Sequence, residues 1–322
     1  MKPLKDIVIY QYLTGRLLPV LAALSLLSGC ATIQTDRITP PPLLNAGPPV
    51  QVEDVEVLAV SPEMDRFLVR YILKYEDPRT RLELLIRSVM VGGNLGFEYD
   101  ETRTLTASEA FKSRSGNCVG FSNMIIALAR RAGLEAEYQE VFLRPVWFDH
   151  LEDTVLLVKH VNVVVKSRQF SWAVDVSGVE IHPTDRRRIV DDNYAKALYL
   201  NNIAVNALLE NDLPTAYAYV RSAIDASSEV VDPWINLGVI YGRNEQLDDA
   251  ALAIATGRSL LGHRPIRPRN PAQEIDFLAV EKALGDEEAV VSKASQEIVG
   301  QLECHNTTRN FPFMVIRFIG SG

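Results

Sequence analysis

The chain has 322 residues, of which 47% are hydrophobic, and its formal net charge is −8. This length and apolar content suffice for the packed core of one or two domains. The acidic balance argues against general nucleic-acid binding, which needs a basic surface. Three cysteines are too few for a scaffold built on disulfides, so their positions are more informative than their number.

The N-terminus has the pattern of an export signal. Basic residues precede an uninterrupted apolar run at 17–27, which is too short to span a bilayer and has the length of a signal-peptide core. The next residues, Leu27-Ser28-Gly29-Cys30, resemble the bacterial lipobox, whose cysteine becomes the lipidated first residue of the mature protein. We therefore predict a lipoprotein signal peptide at 1–30 and lipidation of Cys30. The alternative is a plain signal peptide that happens to precede a cysteine.

The lipobox resemblance implies a location as well as an anchor. A lipidated Cys30 would hold the protein on a membrane of the bacterial cell envelope, facing the periplasm. Ala31 stands where the enteric signal for inner-membrane retention has Asp, so the resemblance implies the outer membrane. Residues 31–54 are predicted to be a tether that holds the folded part off the membrane surface, because five prolines favour extended backbone there: Pro40, Pro41, Pro42, Pro48 and Pro49.

Residues 55–190 have the pattern of a domain that mixes helices and strands. Apolar residues recur at helical spacing from Pro62 to about Met90, with a break at Asp77-Pro78. A capping-box pattern at Thr106 starts the next helix. Strand patterns then occupy 137–142, 154–166 and 170–176. Helices followed by an antiparallel sheet predict an α+β domain.

A helical region with a 34-residue period follows at 193–262. Five residues of the first unit recur in the second as small or apolar residues: Ala204, Leu213, Ala216, Val220 and Ala223 recur as Gly238, Leu247, Ala250, Ile254 and Gly257. The second unit, with Trp234 and Tyr241, resembles the tetratricopeptide signature. We predict two tetratricopeptide repeats, which form partner-binding surfaces, and a C-terminal extension at 263–322 with a capping helix at Asp276–Ile298.

Cys118 is the candidate nucleophile. It follows the Gly-containing turn Ser115-Gly116-Asn117 and begins a helix pattern that ends near Gly133. A helix N-terminus carries unpaired N–H groups and partial positive charge, which stabilise a thiolate. Because an isolated thiol has little thiolate at neutral pH, a nearby general base is also required.

His160 is the candidate general base. It lies among valines in the strand pattern 154–166. A lone histidine in such a strand is most often a tolerated core or edge residue. The catalytic assignment therefore depends on what the next strand places opposite it.

Asp175, in the next strand pattern, is the candidate residue that orients the histidine. If the connecting loop is centred at 167–168, Lys166 opposes Gln169, and counting back makes His160 oppose Asp175. Directly opposed residues have Cβ atoms roughly 4.5–5.5 Å apart, close enough for the carboxylate to orient the imidazole. A loop of odd length would break this pairing, so the register is a hypothesis.

These residues stand in segments that resemble the transglutaminase-like superfamily. The segments are Arg114-Ser115-Gly116-Asn117-Cys118 with the helix after it, and Trp172-Ala173-Val174-Asp175, within a likeness that covers roughly 63–184. The resemblance implies a papain-like α+β fold and a catalytic triad of Cys118, His160 and Asp175. Val161-Asn162-Val163 follows the histidine here, where the family often has Trp and Glu.

The resemblance also implies a reaction. The thiol would attack a peptide or side-chain amide of a protein substrate and form an acyl-enzyme. Release to water makes a cysteine peptidase or amidase, which bacterial relatives favour, and release to an amine makes a transglutaminase-type acyltransferase. The alternative is a catalytically weak or inactive scaffold that binds protein partners through its repeats.

We expect no cofactor and no metal. The sequence has no close-spaced pair of Cys or His residues, although Cys118, His160 and Asp175 would in principle suit a metal ion. Cys304 lies in a C-terminal stretch without an interpretable pattern and is expected to be a buried or incidental thiol. The expected contacts are therefore a protein substrate, a protein partner and, through the lipid, a membrane.

Overall fold

The computed structural model describes residues 39–90, 93–151, 154–167, 171–177, 181, 184–262 and 313–318. The predicted signal peptide with Cys30, the capping helix and Cys304 lie outside the described residues, as does the tether up to residue 38. The described residues from Pro41 onward belong to one compact unit. No helix among them is long and apolar enough to cross a membrane.

Two capped helices open this unit. Helix α1 (Pro62–Tyr71) begins after Ser61, whose hydroxyl accepts from the amide of Met64 at 3.3 Å. Helix α2 (Pro78–Val89) begins after Asp77, whose carboxylate accepts from the amide of Thr80 at 2.8 Å. Each cap is followed by a proline, which suits the first helical position because it lacks an N–H. The predicted break at Asp77-Pro78 is confirmed.

The next part of the chain forms two short strands and two helices, and the second of these helices is buried. Strands β1 (Glu98–Tyr99) and β2 (Ser115–Gly116) pair in parallel on either side of helix α3 (Ala107–Ser113). Thr106 and Glu109 form the predicted capping box of α3. Helix α4 (Cys118–Arg131) follows, and all its residues from Cys118 to Ala129 are buried. Gly133 has a φ of +79°, the left-handed conformation that commonly ends a helix, as predicted.

Four strands of the sheet are antiparallel neighbours in the order β5-β4-β3-β6, and a fifth strand pairs with β4. Its strands are β3 (Glu135–Leu151), β4 (Thr154–Lys166), β5 (Ser171–Val174), β6 (Arg186–Val190) and β7 (Phe313–Phe318). The first four of these strands pair antiparallel, as predicted, whereas β7, which was not predicted, runs parallel to the first half of β4. Strand β6, which has charged residues at its start, and the extension of β3 past 142 were also not predicted from the sequence.

The predicted register between β4 and β5 is wrong by two residues. Lys166 opposes Ser171 rather than Gln169, because the four-residue connection is 167–170 and its centre lies one residue later than predicted. The ladder ends at Val163 opposite Val174, so Asp175 lies just beyond it. Side chains alternate between faces with a period of two. A shift of two residues therefore leaves Asp175 on the predicted face.

Four helices complete the described unit: α5 (Asp192–Leu209), α6 (Leu213–Ala226), α7 (Val231–Arg243) and α8 (Leu247–Gly262). Successive helices pack on one another, and small residues lie where α7 meets α8. A side chain at Gly238 would overlap Ile254, and one at Gly257 would come within 3.1 Å of the Trp234 side chain. Trp234 is buried, as the repeat pattern requires. The second helices of the two pairs begin 34 residues apart, at Leu213 and Leu247, whereas the first helices begin at Asp192 and Val231.

The helices α5–α8 and the sheet region share packing. The first half of α5 belongs to the same apolar core as α4 and the sheet. Arg130 at the end of α4 also makes a bidentate ion pair with Asp192, with N–O distances of 2.6 and 2.9 Å. Residues 52–60 pack on the same core without regular secondary structure. The site described next therefore lies in a unit held together across the predicted domain boundary.

Candidate active site

Cys118 is the first residue of α4. Asn117 caps the helix, with its side-chain oxygen accepting from the amides of Val119 and Gly120 at 3.1 Å each. The Asn117 amide group donates to Thr104 at 2.7 Å, and both side chains are buried. This fixed cap places the thiol at the positive end of the helix dipole, as the sequence predicted.

His160 and Asp175 are brought together as predicted, although by a different register. The Nε2 atom of His160 lies 2.5 Å from Oδ2 of Asp175. The other carboxylate oxygen of Asp175 accepts from the amide and the hydroxyl of Ser177, at 2.9 and 2.7 Å. Ser177 is buried and was not singled out from the sequence. An Asp followed two residues later by Ser is the signal that would have found it, because this spacing favours a local side-chain turn.

The surroundings of His160 favour its charged form. Burial is the largest influence and lowers the pKa of the ring, but it is outweighed by the hydrogen bond to Asp175, the interaction with Cys118 and the charges of both groups, which together raise the pKa to about 10. His160 is therefore an imidazolium at neutral pH. Such a cation can act as charge partner of a thiolate and as proton donor.

The Asp175 carboxyl remains ionised. Burial raises its pKa, but hydrogen bonds from His160 and Ser177 and the charge of His160 outweigh burial and leave the pKa below its usual value. A carboxylate fixed by Ser177 can hold the imidazole in one orientation, the role of the third group in a nucleophile–base–acid triad.

The thiol is almost completely enclosed: Cys118 is 1% exposed and His160 is 0% exposed. Three polar atoms of α4 and β4, which are Nδ1 of His160, Oγ of Ser122 and Oδ1 of Asn162, are buried and make no well-formed hydrogen bond within the described part of the chain. Ser122 lies one helical turn after Cys118 on α4, and Asn162 lies on the same face of β4 as His160. Buried polar atoms without partners cost free energy, so this pocket has unused hydrogen-bonding capacity.

The opposite face of the sheet carries a second charged cluster that sequence reasoning missed. Lys159, next to His160 on β4, forms an ion pair with Asp232 of α7, and Arg188 of β6 contacts both Glu140 of β3 and Tyr194 of α5. Asp232 and Glu140 are buried. The signal was a lysine inside a valine-rich strand, but no partner for it is close in sequence.

No group of three or more His, Cys, Asp or Glu residues in the described part of the chain is arranged to hold a metal ion.

Residues 69–175 match the family described as the transglutaminase-like superfamily, about a third of the chain. The match includes Cys118 and His160 and ends at Asp175. No curated protein and no solved structure matches the chain. Residues 69–175 therefore form a transglutaminase-like domain, a scaffold on which cysteine hydrolases and acyltransferases are built.

Proposed function

We propose that this chain is a thiol-dependent hydrolase of peptide or side-chain amide bonds, with Cys118 as nucleophile, His160 as acid and base, and Asp175 as the residue that orients His160. The observation that supports the proposal is the hydrogen bond between His160 and Asp175, together with the interaction of the same imidazole with Cys118. A solely structural histidine would not need a carboxylate that a third residue holds in place.

The reaction proceeds in two transfers. In the proposed resting site the proton of Cys118 already lies on His160, and the thiolate sulfur attacks the carbonyl carbon of the amide to form a C–S bond. His160 donates that proton to the leaving nitrogen as the C–N bond breaks, which leaves a thioester. A water molecule then loses a proton to His160 and attacks the thioester, the acid product leaves, and the thiol is restored. Asp175 stays ionised throughout and stabilises the imidazolium.

The second nucleophile decides between hydrolysis and acyl transfer. Water gives a peptidase or amidase, whereas an amine gives a new amide bond between two substrates. We propose hydrolysis, on the analogy of bacterial members of the superfamily. In either case the substrate must enter a pocket in which the thiol is 1% exposed, so a productive encounter includes an opening of this site.

A scaffold that binds partner proteins is the second candidate function. The observation that favours it is the burial of Cys118, because a domain without catalytic activity does not need an accessible thiol. In this alternative the helices α5–α8, which we propose to be two tetratricopeptide repeats, would provide the binding surface.

Alkylation of Cys118 separates the two functions. In the Cys304→Ser chain, we expect iodoacetamide to modify Cys118 at pH 6, where an ordinary thiol hardly reacts. His160→Ala in the same background should slow the modification at least about tenfold. Cys118→Ser should abolish hydrolysis and leave the circular dichroism spectrum unchanged. Peptide mapping by mass spectrometry identifies the modified residue. A Cys118 that reacts no faster than a free thiol, with or without His160, would establish the scaffold.

We also propose that Cys30 is lipidated and that the protein faces the periplasm from the outer membrane. The support is the lipobox resemblance at Leu27-Ser28-Gly29-Cys30. Cys30→Ala should remove the lipid-modified mature form and release the protein from the membrane fraction. A Cys30→Ala chain that still fractionates as a lipid-modified species would contradict the proposal.

A further inference from the structure

Residues 41–46 of the chain lie on helices α6–α8 as a bound peptide would. The hydroxyls of Tyr217 and Tyr241 both donate to the carbonyl of Pro41, the first at 2.6 Å. These residues have no helix or strand structure of their own. Their main-chain groups are therefore satisfied by side chains of the helices, which differs from the packing of one secondary-structure element on another.

The turn between α7 and α8 continues these contacts. The Gln246 side chain accepts from the amide of Leu44 at 2.8 Å and donates to the carbonyl of Pro42 at 3.2 Å. Asn244 donates to the carbonyl of Leu44 at 2.9 Å. Gln246 is itself buried and held by Asp249 at 2.7 Å. Four consecutive peptide units are thus recognised through main-chain atoms, which other sequences would also present if position 44 is not proline.

One large side chain of the segment supplies most of the apolar contact, and the small side chain of Ala46 packs beside it. Leu43 is buried in the core of α5–α8, whereas its neighbour Leu44 is 54% exposed. Pro41 and Pro42 precede this anchor, and prolines reduce the entropy that an extended chain loses on binding. Main-chain hydrogen bonds around a single apolar anchor are a recurrent mode of peptide recognition.

We propose that Tyr217, Tyr241, Asn244 and Gln246 form a binding site for a peptide with two prolines ahead of one apolar anchor and a turn directly after it, and that residues 41–46 are its resident ligand. The site is independent of the Cys118 chemistry. A segment of this type presented by another molecule competes with the resident ligand and frees the N-terminal part of the chain.

The test uses a fluorescent peptide with the sequence of residues 39–47 and the full chain. In Leu43→Asp the resident anchor is lost, so the peptide should bind saturably by fluorescence polarisation. Wild type should bind it at least about tenfold more weakly, because a tethered ligand competes at a roughly millimolar effective concentration. The matched control, Leu44→Asp, should behave as wild type. Tyr241→Phe combined with Gln246→Ala should abolish binding to the Leu43→Asp chain.

Two results would overturn the proposal: no saturable binding to a folded Leu43→Asp chain, or equal binding to that chain and to wild type. If Leu43→Asp does not fold, a protease site in the exposed residues 47–51 replaces it. The chain is folded, cleaved there and mixed with the labelled peptide. Exchange of the peptide into the cleaved chain supports the site, and no exchange after the N-terminal fragment has dissociated contradicts it.

Discussion

Two neighbouring residues of β4 carry cation–carboxylate pairs on opposite faces of the sheet, and the two pairs differ in character. His160 pairs with Asp175 and interacts with Cys118, whereas Lys159 pairs with Asp232 of α7. The pKa of the Asp175 carboxyl lies below its usual value, and that of Asp232 is raised. Two cation–carboxylate pairs on adjacent residues of β4 are therefore accompanied by opposite shifts in the pKa of the carboxyl group.

Burial and second partners explain the difference. Burial is the largest influence on both carboxyls, but Asp175 is 23% exposed and also accepts two hydrogen bonds from Ser177, which stabilise its charge. Asp232 is 1% exposed and has the acidic Glu140 near it, so Lys159 does not fully offset the cost of burying the charge. We infer that the first face determines turnover and the second determines stability.

The largest expected effect is a loss of turnover when Asp175, the partner of His160, is changed. Asp175→Asn keeps the shape of the side chain but leaves the imidazole free to adopt the wrong tautomer, so kcat for amide hydrolysis should fall roughly 10⁴-fold. The melting temperature should change little. Steady-state kinetics and a thermal melt on the same preparation measure both quantities. A kcat within tenfold of wild type would remove Asp175 from the mechanism.

The next effect is on stability. Lys159→Met leaves the buried Asp232 carboxylate without its cation, which should lower the free energy of unfolding by about 3–5 kcal/mol at neutral pH. Because the pKa of Asp232 is raised, this loss grows as pH rises through that pKa and is relieved when acid protonates the group. Urea denaturation at pH 5 and pH 8 measures it.

The control for this stability prediction lies on the same strand. Lys166 pairs with Glu137, but both side chains are 41% exposed. Lys166→Met should therefore cost less than about 1 kcal/mol. Adding Asp232→Asn to Lys159→Met should restore most of the lost stability, because no buried charge then remains unpaired. Equal losses for Lys159→Met and Lys166→Met would contradict the distinction between the faces.

The next prediction is that the pKa of His160 responds to a change at Asp175 but not to a change at Asp232. Its ring should remain protonated until pH passes about 10 in the wild-type protein. Asp175→Asn removes a group that raises this pKa, so the transition should move to lower pH, towards the ordinary imidazole value of about 6.5. Asp232→Asn, on the other face, should leave it unchanged. NMR of the ring protons follows the transition, and equal shifts in the two variants would refute this division.

The smallest expected effect concerns Ser177. Ser177→Ala removes the hydroxyl that holds Asp175 but retains the amide hydrogen bond, so kcat should fall about tenfold, as for other groups that position a catalytic residue. Ser177→Thr keeps a hydroxyl and should recover most of the rate. A fall in stability without a change in kcat would make Ser177 a structural residue only.

The three candidate site residues could be predicted from the sequence for different reasons. Cys118 follows a turn and starts a helix, a local pattern that fixes its position without any long-range information. The pairing of His160 with Asp175 depended on the register of a hairpin, and the predicted register was wrong. It still brought the two residues together, because the error was an even number of residues and a strand presents alternate residues on the same face.

The features that could be predicted from sequence alone are therefore local: the caps at Thr106 and Asp77, the helix after Cys118, and the spacing of Leu213 and Leu247. Capping, turn geometry and apolar periodicity involve residues only a few positions apart, so the order of neighbouring residues is enough to predict them. The ion pair of Lys159 with Asp232 and the packing of residues 41–46 on α6–α8 depend instead on the folded arrangement of the whole unit. Those contacts join residues 73 or more positions apart, where side-chain chemistry allows many partners and the packing of the whole unit selects one.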